Sequence, residues 1–367
     1  MRSMLDRLKK LPISILVIFM VLLLCASYAL WTRSELKSRV LHACYSQNKA
    51  LSDCYISYYQ DISEKLGTKK ALQKLHENLK VDKKLNEDCH MAAHVIGRNA
   101  FHEFGSIAKA YSLADYECWG GYLHGVVEAS MSRKKLSDIS PLMLRTMCDG
   151  VKELGETSFA HFSCVHGIGH ALMYVSHNDL LSALIRCDEL QDEWEIRQCV
   201  NGSFMENTLA DSDHPSKFQP KDDLNFPCTI ASDKNKDVCY QVQSKFILDH
   251  YQWDFKQSFV FCDGLLKTEY KQLCAQGLGA GVSVYAAYDP VKISNLCALA
   301  HAPLKNECLY GALTDLEGKT GKIELGHEVC KNVKSDEFSE CEQILHKAHI
   351  AFPGATKSGE GWSDATQ

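Results

Sequence analysis

A run of 21 uncharged positions, LPISILVIFMVLLLCASYALW at residues 11–31, opens the hydrophobic pattern of the chain. As a helix it is long enough to cross about 30 Å of hydrocarbon. Arg2, Arg7, Lys9 and Lys10 precede it, so the positive-inside rule leaves residues 1–10 as a cytoplasmic stub and exports the rest. Ser27 and Ala29 also suit a cleaved signal peptide, and Cys25 a lipoprotein anchor. The run is longer than a signal-peptide core, Leu24 is bulky where a lipoprotein wants a small residue, and Tyr28 and Trp31 match an interfacial belt. The expectation is an uncleaved signal anchor.

Beyond residue 31 the chain alternates amphipathic helical stretches with short polar connectors, and strand signals are few and short. In DLLSALIRCDELQDEWEIRQCVNGSFMENTLA a helix ends near Cys187, a connector follows, and a second helix starts near Cys199. SFVFCDGLLKTEYKQLCAQGLGAGV and SNLCALAHAPLKNECLYGALTDL repeat that layout. The pattern predicts an all-α fold. Residues 32–86 form an N-terminal helical segment, 87–210 helical hairpins, 211–352 further hairpins, and 353–367 a disordered tail by composition. Only 8 prolines interrupt a chain rich in helix formers.

The cysteines give the hairpins a period. Apart from Cys25, 16 of the 17 remain for the exported part. Most fall into close pairs: Cys44–Cys54, Cys148–Cys164, Cys187–Cys199, Cys228–Cys239, Cys262–Cys274, Cys297–Cys308 and Cys330–Cys341. The second members from Cys164 onward advance in steps of 35, 40, 35, 34 and 33 residues, a helical-hairpin repeat. The polar stretch DSDHPSKFQPKDD accounts for the longer step. No C-x₂₋₄-C knuckle is present, so the pairs read as disulfides of an oxidising compartment rather than structural zinc. Each closes a short loop and contributes about 2–3 kcal/mol. Cys89 and Cys118 lack close partners and are expected to bridge each other. Three positions past the second cysteine stand Gly121, Gly167, Gly202, Gly277 and Gly311, with Val242 and Ile344 as exceptions. Glycine there permits close helix crossings, and stacked hairpins make an α-solenoid.

The layout over roughly residues 140–345 resembles the cysteine-rich, tetratricopeptide-like αα-repeat proteins secreted by some bacteria, in which one disulfide staples each hairpin. Here the paired cysteines are farther apart, and histidines are added. The resemblance implies a helical solenoid whose surface binds a protein or peptide.

The added histidines are unevenly placed. Five or six positions after the cysteine come His94, His124 and His170, then Met205, Lys245, Ala280 and Thr314. Each of the three histidines has a companion one helical turn away: His90, Glu128 and His166, respectively. Residues four apart share a helix face, so three neighbouring helices would present five imidazoles and a carboxylate together. That set suits a transition metal, zinc, copper or iron, with Glu128 as a ligand or candidate base. Met205 and Glu206 on the following helix are candidates for supporting the ligands. A bis-histidine haem, with Trp119 and Tyr122 lining the pocket, is a weaker alternative. His102, His161 and His177 read as structural or exposed.

The remaining readings exclude more than they assign. Net charge −6 and a pI near 6.2 leave no basic footprint for nucleic acid. HExxH, GxSxG, Walker and CxxCH motifs are absent. The expectation is a membrane-anchored metalloprotein whose bulk is periplasmic or extracellular, either a metal-dependent oxidoreductase or hydrolase, or else a non-enzymatic scaffold for a protein or peptide partner.

Overall fold

The computed structural model describes residue 44 and residues 51–113, 115, 117–152, 159–209, 215–220, 223–320 and 322–351. The stub, the span at 11–31 and the tail at 353–367 lie outside them. Among the described residues there is no strand, and no helix is long and apolar enough to cross a membrane. The chain divides into two compact units, residues 1–57 and 58–367. In the first, Cys44 and Cys54 are disulfide-bonded.

The second unit is built from hairpins. Helix α1 (Leu51–Leu66) runs across the boundary between the units, and α2 (Thr68–Leu79), α3 (Lys83–Phe104) and the short α4 (Ile107–Tyr111) follow. A 3₁₀ turn at Cys118–Gly120 leads into α5 (Gly121–Met131). After α6 (Pro141–Thr146) and α7 (Asp149–Lys152) comes the long α8 (Phe159–Val175). Then α9 (Leu180–Cys187) pairs with α10 (Glu193–Leu209), and α11 (Lys236–Val242) and α12 (Ser244–His250) form one broken repeat. Three regular hairpins close the series: α13 (Phe255–Asp263) with α14 (Thr268–Tyr285), α15 (Pro290–Cys297) with α16 (Ala302–Thr320), and α17 (Ile323–Lys331) with α18 (Phe338–Ala351).

Local chemistry marks where each hairpin starts. Two successive residues turn left-handed before the shorter helix: His177–Asn178, Gln252–Trp253 and Ala287–Tyr288. An aspartate then caps the helix. Asp179 accepts from the Ser182 N–H at 3.3 Å, Asp254 from Gln257 at 3.1 Å and Asp289 from Lys292 at 3.0 Å. Such caps satisfy one of the free N–H groups of the first turn.

The eight cysteine pairs stand at S–S distances from 1.88 to 2.16 Å, joined as the spacing suggests, including Cys89 with Cys118. One expectation needs correction. In three hairpins the second cysteine is not in the first turn of its helix: Cys199, Cys274 and Cys308 are each the seventh residue of α10, α14 and α16, whereas Cys239 and Cys341 are each the fourth residue of α11 and α18. The connectors are shorter than the cysteine spacing suggested, because Asp192 turns the chain immediately, accepting from the Trp194 and Glu195 N–H groups. In those three hairpins the staple therefore grips the second helix almost two turns in.

The longer helices pack side by side in chain order, α3 on α5, α5 on α8, α8 on α10, then through α11 and α14 to α16 and α18. Glycines set the spacing. A Cβ built at Gly125 would overlap the His94 carbonyl, and one at Gly97 the Tyr122 carbonyl. Farther along, Gly202 faces the His166 carbonyl and Gly169 the Cys199 carbonyl in the same way. These crossings are backbone against backbone.

Replacing Gly202 with valine should lower stability by about 1–3 kcal/mol, the usual cost of overpacking. Gly318 near the end of α16 has nothing within 4 Å of its missing Cβ. Gly318→Ala should raise stability by about 0.5–1 kcal/mol through helix propensity. Thermal unfolding of the two variants against the parent chain checks the contrast.

Candidate metal centre

The cluster grows from α3, α5 and α8, with one group from α10. The α3–α5 crossing carries Gly97 and Gly125, one turn from His94 and next to His124, so these rings meet across nearly touching backbones. On the other side, Gly167 on α8 lies against Val127 and the His124 Cα. The outcome is five buried imidazoles in one space. His90 and His94 ring centroids are 4.5 Å apart, His166 and His170 4.9 Å. His124 lies between the pairs, 5.3 Å from His90, 5.5 Å from His94, 4.8 Å from His166 and 5.1 Å from His170.

Hydrogen bonds at the outer ring nitrogens fix which way the lone pairs point. His90 Nδ1 donates to the Cys118 carbonyl at 2.8 Å, and His170 Nδ1 donates to Glu206 Oε2 at 2.6 Å. His94 Nδ1 approaches Glu128 Oε1 at 2.8 Å, off the ideal hydrogen-bond angle. With the proton held on Nδ1, His90 and His170 keep a bare lone pair on Nε2. His90 Nε2 and His94 Nε2 face each other at 3.0 Å. Lone pairs on two nitrogens at that distance repel unless a proton or a metal ion lies between them. On an ion that holds nitrogens at about 2.0–2.1 Å, neighbouring ligand atoms stand roughly 3 Å apart. His166 Nε2 and His170 Nε2 are also 3.0 Å apart.

His124 makes the stronger case. Both of its ring nitrogens are buried and have no hydrogen-bond partner, and His166 Nδ1 is in the same condition. A buried polar atom left unpaired costs about 1–3 kcal/mol. Three sets of donor atoms lie within 4.8 Å of one another: His90, His94 and His124; His124, His166 and His170; and His94, Glu128 and His170. The first two sets share His124, so its ring can complete either.

Electrostatics disfavour protons in the same place. Burial, and then the neighbouring imidazoles, push His90, His124 and His166 well below the ordinary histidine value. Burial alone would raise Glu128, but His94 and Arg98 outweigh it and hold the carboxyl well below the usual range. Arg98 Nη1 donates to Glu128 Oε2 at 2.8 Å. Neutral imidazoles at His90, His124 and His166 and an ionised Glu128 beside them are the state in which nitrogen ligands bind metal.

All six residues expected as ligands are thus brought together, and Glu206 supports His170. Met205 lines the adjoining cavity together with His124 and His166. Both Glu128 oxygens are engaged, one by His94 and one by Arg98, which suits an orienting carboxylate. His161 is buried elsewhere, 3.2 Å from Glu195 and beside Trp194. Sequence reading missed Arg98, although it stands one turn beyond His94 on the same face. It also missed the Cys118 carbonyl, which reaches His90 only because Cys118, Trp119 and Gly120 all adopt positive φ.

The adjoining cavity, of about 420 Å³, reuses the repeat. Counting from the second cysteine, position two supplies His166, Asn201, Gln241, Gln276 and Tyr310 to its wall. Position six supplies His124, Met205, Lys245, Ala280 and Thr314. Trp119 Nε1 donates to Asp315 Oδ1 at 3.1 Å, and the 3₁₀ turn touches α16, so early and late repeats meet around this space.

Comparison with protein-family models, with curated proteins and with solved structures found no match. The reading of the site therefore rests on its geometry.

Removing a carboxylate behind a ligand weakens metal binding without deleting a ligand, by about 10–100-fold. Glu206→Gln, and separately Glu128→Gln, should lower zinc affinity by that factor and leave the saturating stoichiometry unchanged. Competition with a chromophoric chelator provides the measurement.

Proposed function

We propose that the protein is an extracytoplasmic metalloprotein, tethered to the membrane by residues 11–31, whose core is a transition-metal centre made by His90, His94, His124, His166 and His170. The observation that carries the reading is convergence: carboxylates and a carbonyl hold protons on the outer nitrogens, while the inner ones converge on His124, whose two nitrogens have no partner. Imidazole ligands favour zinc, copper or iron over the hard cations magnesium and calcium. Ring centroids only 4.5–6.3 Å apart leave little width for a macrocycle, which supports a bare ion over haem. Eight disulfides suit the oxidising compartment that the N-terminal signal implies.

In this reading the hairpins form a curved solenoid, and the inward faces of its long helices carry the chemistry. Its first repeats use positions near the second cysteine for ligands. The later repeats use the same positions to wall the cavity.

Purification of the full chain from the membrane fraction, followed by elemental analysis, tests the proposal. At least one equivalent of zinc, copper or iron per chain is expected. The His94→Ala/His170→Ala variant should lose it while retaining its helical circular dichroism. A metal-free parent chain that takes up none of the three ions on titration would overturn the reading, and would leave a scaffold for a protein or peptide as the better account.

A further inference from the structure

We propose that the cavity bordered by His124 and His166 is a chamber in which the metal centre receives a small, uncharged aromatic molecule carrying one oxygen donor. The proposal rests on the metal reading above and adds the chemical class of its ligand.

Access comes first. Of the five clustered rings, His124 and His166 form part of the cavity wall, and their unpaired nitrogens are His124 Nδ1 and Nε2 and His166 Nδ1. A molecule in the cavity therefore lies against the two rings whose buried nitrogens the protein leaves without a hydrogen-bond partner. A volume of about 420 Å³ is within the range of small-molecule sites, roughly 300–1,000 Å³.

The lining then selects the class. Phe162 stacks on His166 with centroids 5.4 Å apart, and Phe159 lies 5.8 Å from Phe162. Both rings line the cavity together with Trp119 and Tyr310. These faces suit a planar ring, which prefers offset or edge contacts with aromatic neighbours. Two formally charged side chains, Lys245 and Asp315, stand on the wall. Lys245 is turned to Asp249 at 2.9 Å, and Asp315 accepts the Trp119 indole N–H at 3.1 Å. Among the described residues of the wall Lys245 is the one lysine or arginine and it is paired with Asp249, so an anionic ligand would lose its hydration without a cationic partner there. Gln276 on the wall donates its amide N–H to Glu307 Oε2 at 2.7 Å, and the side-chain amide of Gln241, also on the wall, is suited to a neutral polar group. An uncharged ring with one hydroxyl fits both demands.

The experiment uses the full chain in detergent, loaded with cobalt(II) as a spectroscopic ion, and 2-naphthol as the probe. Naphthalene-2-sulfonate, with the same rings and a fixed negative charge, is the control. 2-Naphthol should bind and alter the visible cobalt bands, and the sulfonate should bind at least tenfold more weakly. Ala280→Trp fills the cavity from α14, away from the cluster, and should weaken naphthol binding at least tenfold with cobalt stoichiometry unchanged. Thr314→Phe on α16 should do the same, which covers the case in which the first variant folds poorly. Cobalt-loaded protein that binds no naphthol, binds it equally well in both filled variants, or shows unmoved cobalt bands at saturation would overturn the inference and leave the metal centre standing. A chain that binds no cobalt, zinc, copper or iron would instead remove the metal reading, and this inference with it.

Discussion

Contact between the backbones of neighbouring long helices is the constraint on which the rest depends. At Gly97, Gly125, Gly169 and Gly202 a single added carbon would run into a carbonyl of the next helix. Helices that close cannot slide or rotate freely against one another, so one register holds from repeat to repeat. Equivalent positions after each second cysteine then fall on one inner face. Five imidazoles meet because three of those helices carry histidine there. The disulfides add to this by gripping α10, α14 and α16 nearly two turns in.

The same register explains how the site keeps its polarity. A buried cluster of neutral bases is costly unless its outer nitrogens are satisfied, and each partner comes from an element fixed by the packing. The Cys118 carbonyl is delivered by a left-handed turn that Cys89 holds in place. Glu128 comes from α5 and is itself held by Arg98 from α3. Glu206 comes from α10, across the α8–α10 crossing where Gly169 and Gly202 sit. Stability and function are coupled here, since the glycines that permit tight packing also bring the carboxylates within reach.

Much of this was legible in the chain. Cysteine spacing carried the hairpins and their pairings, because a staple between adjacent helices leaves a fixed separation in sequence. The registration of His94, His124 and His170 showed through for the same reason. Where the reading stopped short, the cause was information not carried by spacing. The long helices begin before their cysteines, as Asp192 turns the chain earlier than a polar connector suggests. The role of Glu128 depended on Arg98, a contact between helices that no local pattern announces. The cavity required knowing that Trp119 meets Asp315, residues on opposite sides of the sequence. Even so, the inner-face positions that wall it had been visible as the places where histidine gives way to Met205, Lys245, Ala280 and Thr314.

The link between Trp119 and Asp315 has a consequence for the order in which the molecule is completed. The histidine cluster and its supporting groups draw only on residues from His90 to Glu206. The far wall of the cavity needs Tyr310, Thr314 and Asp315, about a hundred residues later in the chain. A polypeptide delivered N-terminus first can gather its imidazoles while the last repeats have yet to arrive. In that sequence of events the imidazoles come together in the open, and the final hairpins enclose the space beside them.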